Sequence, residues 1–157
     1  MPVFPRRTML VLLLAAAAFS LPGCGPKSIG SLNDLGMRTL TFPDGTKIRA
    51  ELVTREEDLR RGLMHRDSLP DGTGMLFAYG KPGVYKYWMF NVKFPIDIIW
   101  LDQNRQIIHI IHEVPPCTVT ADQCPVYGGE YPSLYVIEVN AKVAAKHNLK
   151  PGMVIDF

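Results

Sequence analysis

Arg61 to Asp102 read RGLMHRDSLPDGTGMLFAYGKPGVYKYWMFNVKFPIDIIWLD. Three apolar runs lie in this stretch: Met75–Phe77, Tyr85–Phe90 and Ile96–Leu101. Gly72, Gly74, Gly80, Pro82, Gly83 and Pro95 part them. Short apolar runs bounded by Gly and Pro are strands rather than helices. Ile98 to Leu101 shows no polar alternation, so both faces of that strand are expected to be covered. An open sheet with one wet face does not accommodate such a strand. One carboxylate, Asp97, lies inside the third run, where a charge is costly unless paired or hydrogen-bonded. Asp97 is therefore either a general base or a ligand-holding acid, or a structural acceptor for backbone N–H groups near Asn91 or for Arg61.

Upstream, Thr39–Phe42 and Lys47–Val53 flank Pro43-Asp44-Gly45-Thr46, a strong turn sequence, and predict a hairpin. Thr54 to Glu57 has the spacing of a capping box, so a helix is expected over about residues 55–64, with Leu59 and Leu63 on one face. Downstream, Gln106–Val114 is a strand stopped by Pro115-Pro116. A Pro/Gly/Cys loop then runs to Ser133, and Leu134–Val139 is the next strand. Asn140 is the expected cap of a helix over 141–147, Asn148 its end, and Met153–Phe157 a last strand. The prediction is a mainly β domain of the α+β class over residues 39–157. It has two short helices and a barrel-like sheet of about seven or eight strands.

The first residues have a different task. Arg6-Arg7 precede an apolar run from Met9 to Phe19, too short for a membrane span but suited to the core of a signal peptide. Leu21-Pro22-Gly23-Cys24 has the form of a bacterial lipoprotein processing box, with Pro22 a departure from its usual pattern. The expectation is a leader over 1–23 and a lipid on Cys24. Residues 24–38, small and polar, form a tether with a reach of about 20 Å. A chain so anchored belongs to the cell envelope and faces the periplasm.

The 17 Lys and Arg against 15 Asp and Glu include Arg6 and Arg7 of the leader, so the remainder is close to neutral. Nucleic acid, which needs a concentrated basic face, is not an expected partner. Cys117 and Cys124, in an exported loop, are expected as a structural disulfide; their spacing does not suit a redox Cys-x-x-Cys. His109 and His112 are three apart on a strand and point to opposite faces, so they are not expected to share a metal. Met64, Met75 and Met89 beside His65 admit copper only as a minor option, since Met is more often core filler. No Ser or Cys beside a His suggests a catalytic triad, and no glycine-rich phosphate loop precedes a helix. No cofactor, metal or catalytic residue is assigned.

Several of these pieces together resemble the uncharacterised bacterial and archaeal family DUF 192. They are Arg61-Gly62-Leu63-Met64, Gly74-Met75-Leu76-Phe77, Trp88-Met89 with Asn91, Pro95-Ile96-Asp97, Pro115-Pro116-Cys117 with Cys124-Pro125, and Leu134 to Asn140. Phe90 and Val92 depart from it, where members usually carry Lys and Thr. The resemblance implies a compact, mostly β, often exported domain and no particular activity. The function expected is a membrane-tethered binding module for a small ligand or envelope component. Its candidate ligand-binding residues are Arg61, Trp88, Asn91 and Asp97, in a cleft rimmed by the Cys117–Cys124 loop. An assembly factor for another envelope protein, or a hydrolase using Asp97, are the alternatives.

Overall fold

A computed structural model describes residues 36–157, together with Met1. The expected leader, the lipid site at Cys24 and the tether as far as residue 35 lie outside the described residues. Eight strands and two short helices follow: β1 (Met37–Thr41), β2 (Lys47–Val53), α1 (Glu56–Arg61), β3 (Thr73–Gly83), β4 (Lys86–Trp88), β5 (Ile96–Leu101), β6 (Ile107–Val114), β7 (Val126–Gly128), β8 (Ser133–Asn140) and α2 (Val143–Lys146). The expected tether ran to residue 38, but Met37 and Arg38 already pair with Glu51 and Ala50 of β2.

Six strands form one sheet in the order β1-β2-β3-β8-β5-β6, and β4 and β7 form a separate two-stranded ribbon. The β2–β3 pair is parallel and the other pairs are antiparallel. Parallel neighbours need a crossover, and the segment carrying α1 supplies it. The C-terminal segment touches both outer strands. Thr41 bridges Asp156, and Gln106 bridges Val154. At that end the two sheet edges are joined through residues 153–156, which gives the sheet its barrel-like character and covers edges that would otherwise be open.

β5 lies between β8 and β6, and all six of its residues are buried. Ile99 and Leu101 join one apolar cluster with Leu40, Ile48, Leu76, Ile137 and Val139. Ile96, Ile98 and Trp100 join the other with Leu63, Phe77, Tyr87, Met89 and Val136. Burying the four aliphatic side chains of β5 favours folding by roughly 6–12 kcal/mol before conformational entropy is counted. The first cluster is closed by α2 and the C-terminal segment, through Ala144, Leu149 and Ile155. The second is covered by the segment after α1 and by the β4–β7 ribbon.

Both helices differ from expectation at their starts. Arg55, not Thr54, stands at the N-cap of α1, and no side chain caps it. Instead Asp58 and Leu59 N–H donate to the Arg55 carbonyl. α2 begins after Lys142, in left-handed conformation. Asn140 does not cap it; its side-chain amide donates to the Leu69 carbonyl at 2.8 Å. Asn148 does close the helix, at φ 52°, the conformation Asn tolerates best after Gly.

The Sγ atoms of Cys117 and Cys124 are joined, with Cα atoms 5.8 Å apart. Cys117 N–H donates to the Met89 carbonyl, so the bridged loop is tied to the end of β4.

Candidate functional site

Asp97 has a complete structural explanation. It is fully buried. One carboxyl oxygen accepts from Glu113 N–H and the other from Ala144 N–H, each at 2.8 Å. Both donors are freed by local irregularity. β6 carries a register shift opposite Ile96–Ile98, with Glu113 at φ 51°, and Ala144 is in the first turn of α2, whose N–H groups lack helical partners. Asp97 thus ties a bulge to a helix start across the first core. It has no open side from which to act on a substrate.

The second acid within the sheet was not singled out by the sequence reading. Glu138 lies on β8, paired with Met75 on β3 and Ile98 on β5. Asp97 pairs with Val139, so the two acids occupy opposite faces of the sheet. Glu138 is 4% exposed, and its Oε2 has no hydrogen-bond partner among the described residues. Burial pushes its carboxyl up to about 8, only partly offset by the charge of Arg66. A clue was available: SLYVIEVN places an acid within an apolar run, as IDIIWL does.

Above Glu138 lies a cleft of about 70 Å³. The end of α1 and the turn after it supply Arg60, Arg61, Leu63 and Met64. The strands supply Phe77 and Tyr79 from β3 and Lys86, Tyr87 and Trp88 from β4. Gly62 makes the close approach possible. At φ 47°, it brings backbone to where a Cβ would stand 3.3 Å from the Phe77 ring and 3.8 Å from Glu138 Oε2. Tyr79 and Tyr87 share a hydrogen bond between hydroxyls at 2.8 Å. Burial raises both phenols, so both remain neutral hydroxyls at physiological pH. Tyr79 is in turn stacked on Tyr85.

A second, wider cleft of about 460 Å³ shares Arg61 and Gly62 and includes Glu51, Asp58 and Arg66. Here Arg66 grips Glu51 with two hydrogen bonds, at 2.5 and 2.7 Å. The hydrogen bonding to Arg66 lowers the Glu51 carboxyl and raises the guanidinium in return. That pair is self-contained, so its charges are largely spent on each other.

Of the four residues proposed from sequence, Arg61 and Trp88 line the smaller cleft. Asn91 is exposed at φ 59°, and its carbonyl accepts His65 N–H at 2.9 Å, so it fixes the turn after α1. Asp97 faces the other core. The Cys117–Cys124 loop is linked to the cleft through β7, which pairs with β4 residue for residue, Trp88 opposite Val126. His109 lies between the rings of Trp100 and Tyr131. Among the described residues no group of three or more His, Cys, Asp or Glu is placed to hold a metal.

Comparison with known proteins agrees with this architecture. The family model DUF192, described as "Uncharacterized ACR", matches residues 39–157. The chain belongs to the DUF192 family. Its fold resembles that of a protein of unknown function from Novosphingobium aromaticivorans DSM 12444. The two are 29% identical, with a TM-score of 0.69 over 77% of this chain and 85% of that one. A protein proposed to be a transcription regulator, from Sinorhizobium meliloti 1021, is 24% identical. Its TM-score is 0.66 over 75% of this chain and 89% of that one, a likeness of fold alone. The search of curated proteins finds no match. Among the described residues of this DUF192 protein, no helix is long and apolar enough to cross a membrane.

Proposed function

We propose that this DUF192 domain is a small-ligand binding module, held at the cell envelope by a lipid on Cys24 and working in the cleft between Arg61, Trp88 and Glu138. The observation that carries the reading is the buried Glu138 oxygen, which has no partner among the described residues and lies under an open cleft. An unsatisfied buried carboxyl oxygen costs free energy, and a ligand that satisfies it recovers that cost. A strongly perturbed acid facing a cleft is a candidate functional group. Catalysis by Asp97 is no longer supported, because both its oxygens are held by backbone N–H groups in a closed core.

The test is native mass spectrometry of the full chain, purified from its own membranes. The expected result is a small non-covalent mass on the wild type that is lost from Arg61→Ala. A wild-type mass equal to the chain and its lipid alone, under every mild extraction, overturns the reading. A second reading, an assembly factor for another envelope protein, draws on one observation. Trp88 and Val126, cross-strand neighbours on the β4–β7 ribbon, are 39% and 58% exposed. Crosslinking from position 126 in cells distinguishes the two readings, since a single recurrent protein adduct supports assembly.

A further inference from the structure

The groups around the Glu138 cleft have more hydrogen-bond donors than acceptors. The guanidinium of Arg61 and the ammonium of Lys86 line it, and neither has a hydrogen-bond or ionic partner among the described residues. Arg60 also lines it but is paired with Glu56. The hydrogen bond between Tyr79 and Tyr87 uses one hydroxyl proton and leaves the other to donate. Against these cations, the unpaired acidic side chain among the described residues lining the cleft is Glu138. A guest that matches this set brings acceptors and negative charge. The cleft is small, about 70 Å³, so the guest is a small molecule rather than a chain segment. Its walls are partly apolar, through Leu63, Phe77, Tyr87 and Val92. A fully oxygenated anion of that size leaves these walls without apolar contact.

Resting on the binding reading above, we propose that the cleft takes a short-chain carboxylate, its oxygens held by Arg61 and Lys86 at the mouth and by Glu138 at the floor, its alkyl end against the aromatic and aliphatic walls. Glu138 acts as the donor in this arrangement, through its protonated carboxyl. The charged and titratable groups facing it are Arg61 and Arg60 from α1, Arg66 with its partner Glu51, Tyr79 from β3, and Lys86 and Tyr87 from β4. Burial outweighs the charge of Arg66 and holds the Glu138 proton until about pH 8. Once that proton leaves, two carboxylates would face each other in a site of low polarity, and affinity falls.

The experiment titrates the full chain with three probes of one shape, propionate, propionamide and propylammonium, followed by ligand-observed NMR. Propionate is expected to bind and the other two are not. Its affinity is expected to fall about tenfold between about pH 6 and about pH 9, as loss of one proton with an apparent pKa near 8 requires. Glu138→Gln keeps a donor at the floor and is expected to bind with a flat pH profile. Arg61→Ala is expected to lose about tenfold or more at every pH, as a charged hydrogen bond is worth. Binding of propylammonium in preference to propionate overturns the carboxylate proposal and leaves the cleft standing as a site. A propionate affinity that is the same in wild type and Arg61→Ala also overturns it. If no probe binds, the proposal fails. The native mass of the wild type then decides separately whether the cleft holds a ligand of another class.

Discussion

Replacing Glu138 by Gln removes a titration that works against folding. The folded carboxyl is pushed by burial from an ordinary 4.5 to about 8. An acid whose pKa rises on folding binds its proton more tightly in the native state, so protonation favours folding. Its contribution is therefore full below about pH 4.5, falls as pH rises toward about 8, and is constant above. With about 1.4 kcal/mol per pKa unit, the wild type gives up about 3 kcal/mol by pH 7 and about 5 kcal/mol above pH 8. Gln cannot ionise, so the variant lacks this slope. Its buried amide adds a cost of about 1–2 kcal/mol that is the same at every pH. The assay is urea unfolding of wild type and Glu138→Gln, followed by circular dichroism between about pH 4 and pH 9. The stability difference is expected to shift by about 3 kcal/mol in favour of Gln between pH 4 and pH 7, roughly 10 °C in melting temperature for a domain of this size. Parallel pH profiles of the two proteins would refute the reasoning. They would mean that Glu138 is solvated or paired in solution and that its oxygen needs no guest.

Asp97→Asn is expected to destabilise by about 2–4 kcal/mol, because an amide can accept from only one of Glu113 and Ala144 N–H and turns its NH2 toward the other. Hydrogen exchange at those two amides should accelerate before the rest of the sheet. Gly62→Ala is expected to cost about 1–3 kcal/mol, through its positive φ and the close approach to Phe77, and to disturb ligand retention at the Glu138 cleft. Removing the disulfide with Cys117→Ser and Cys124→Ser together should lower stability by about 2–3 kcal/mol, the value for so short a loop, with loosened amides near Met89. The bond from His147, helped by Thr46 N–H, holds the Asp44 carboxyl down at about 2. Its contribution is present above about 3.8 and lost as pH falls through about 2, so His147→Ala should flatten the acid limb of the stability curve.

Strand identity was legible because short apolar runs bounded by Gly and Pro have one good structural solution. IDIIWL, with no polar alternation, required cover on both faces, and two core clusters provide it. The cysteine pair was legible from the closeness of Cys117 and Cys124 in sequence, read with the expectation that the chain is exported. Helix starts were misread: α1 begins one residue later than the Thr54 cap would place it, and the Asn140 side chain is taken by the Leu69 carbonyl. The cap of α2 came from Asp97, 47 residues away. Local sequence does not encode such a partner.

The candidate site divides in the same way. Sequence alone determined that Asp97, an acid inside an apolar run, must be held by something, and it brought Arg61 and Trp88 into view as polar and aromatic groups among strands. Tertiary structure decided which acid is satisfied and which is not. Asp97 and Glu138 stand on neighbouring registers of β5 and β8 but on opposite faces of the sheet. One meets two backbone donors, and the other meets a cleft. The physical reason is that a side chain's face follows from its own strand, whereas the groups waiting on that face come from distant segments brought there only by the fold.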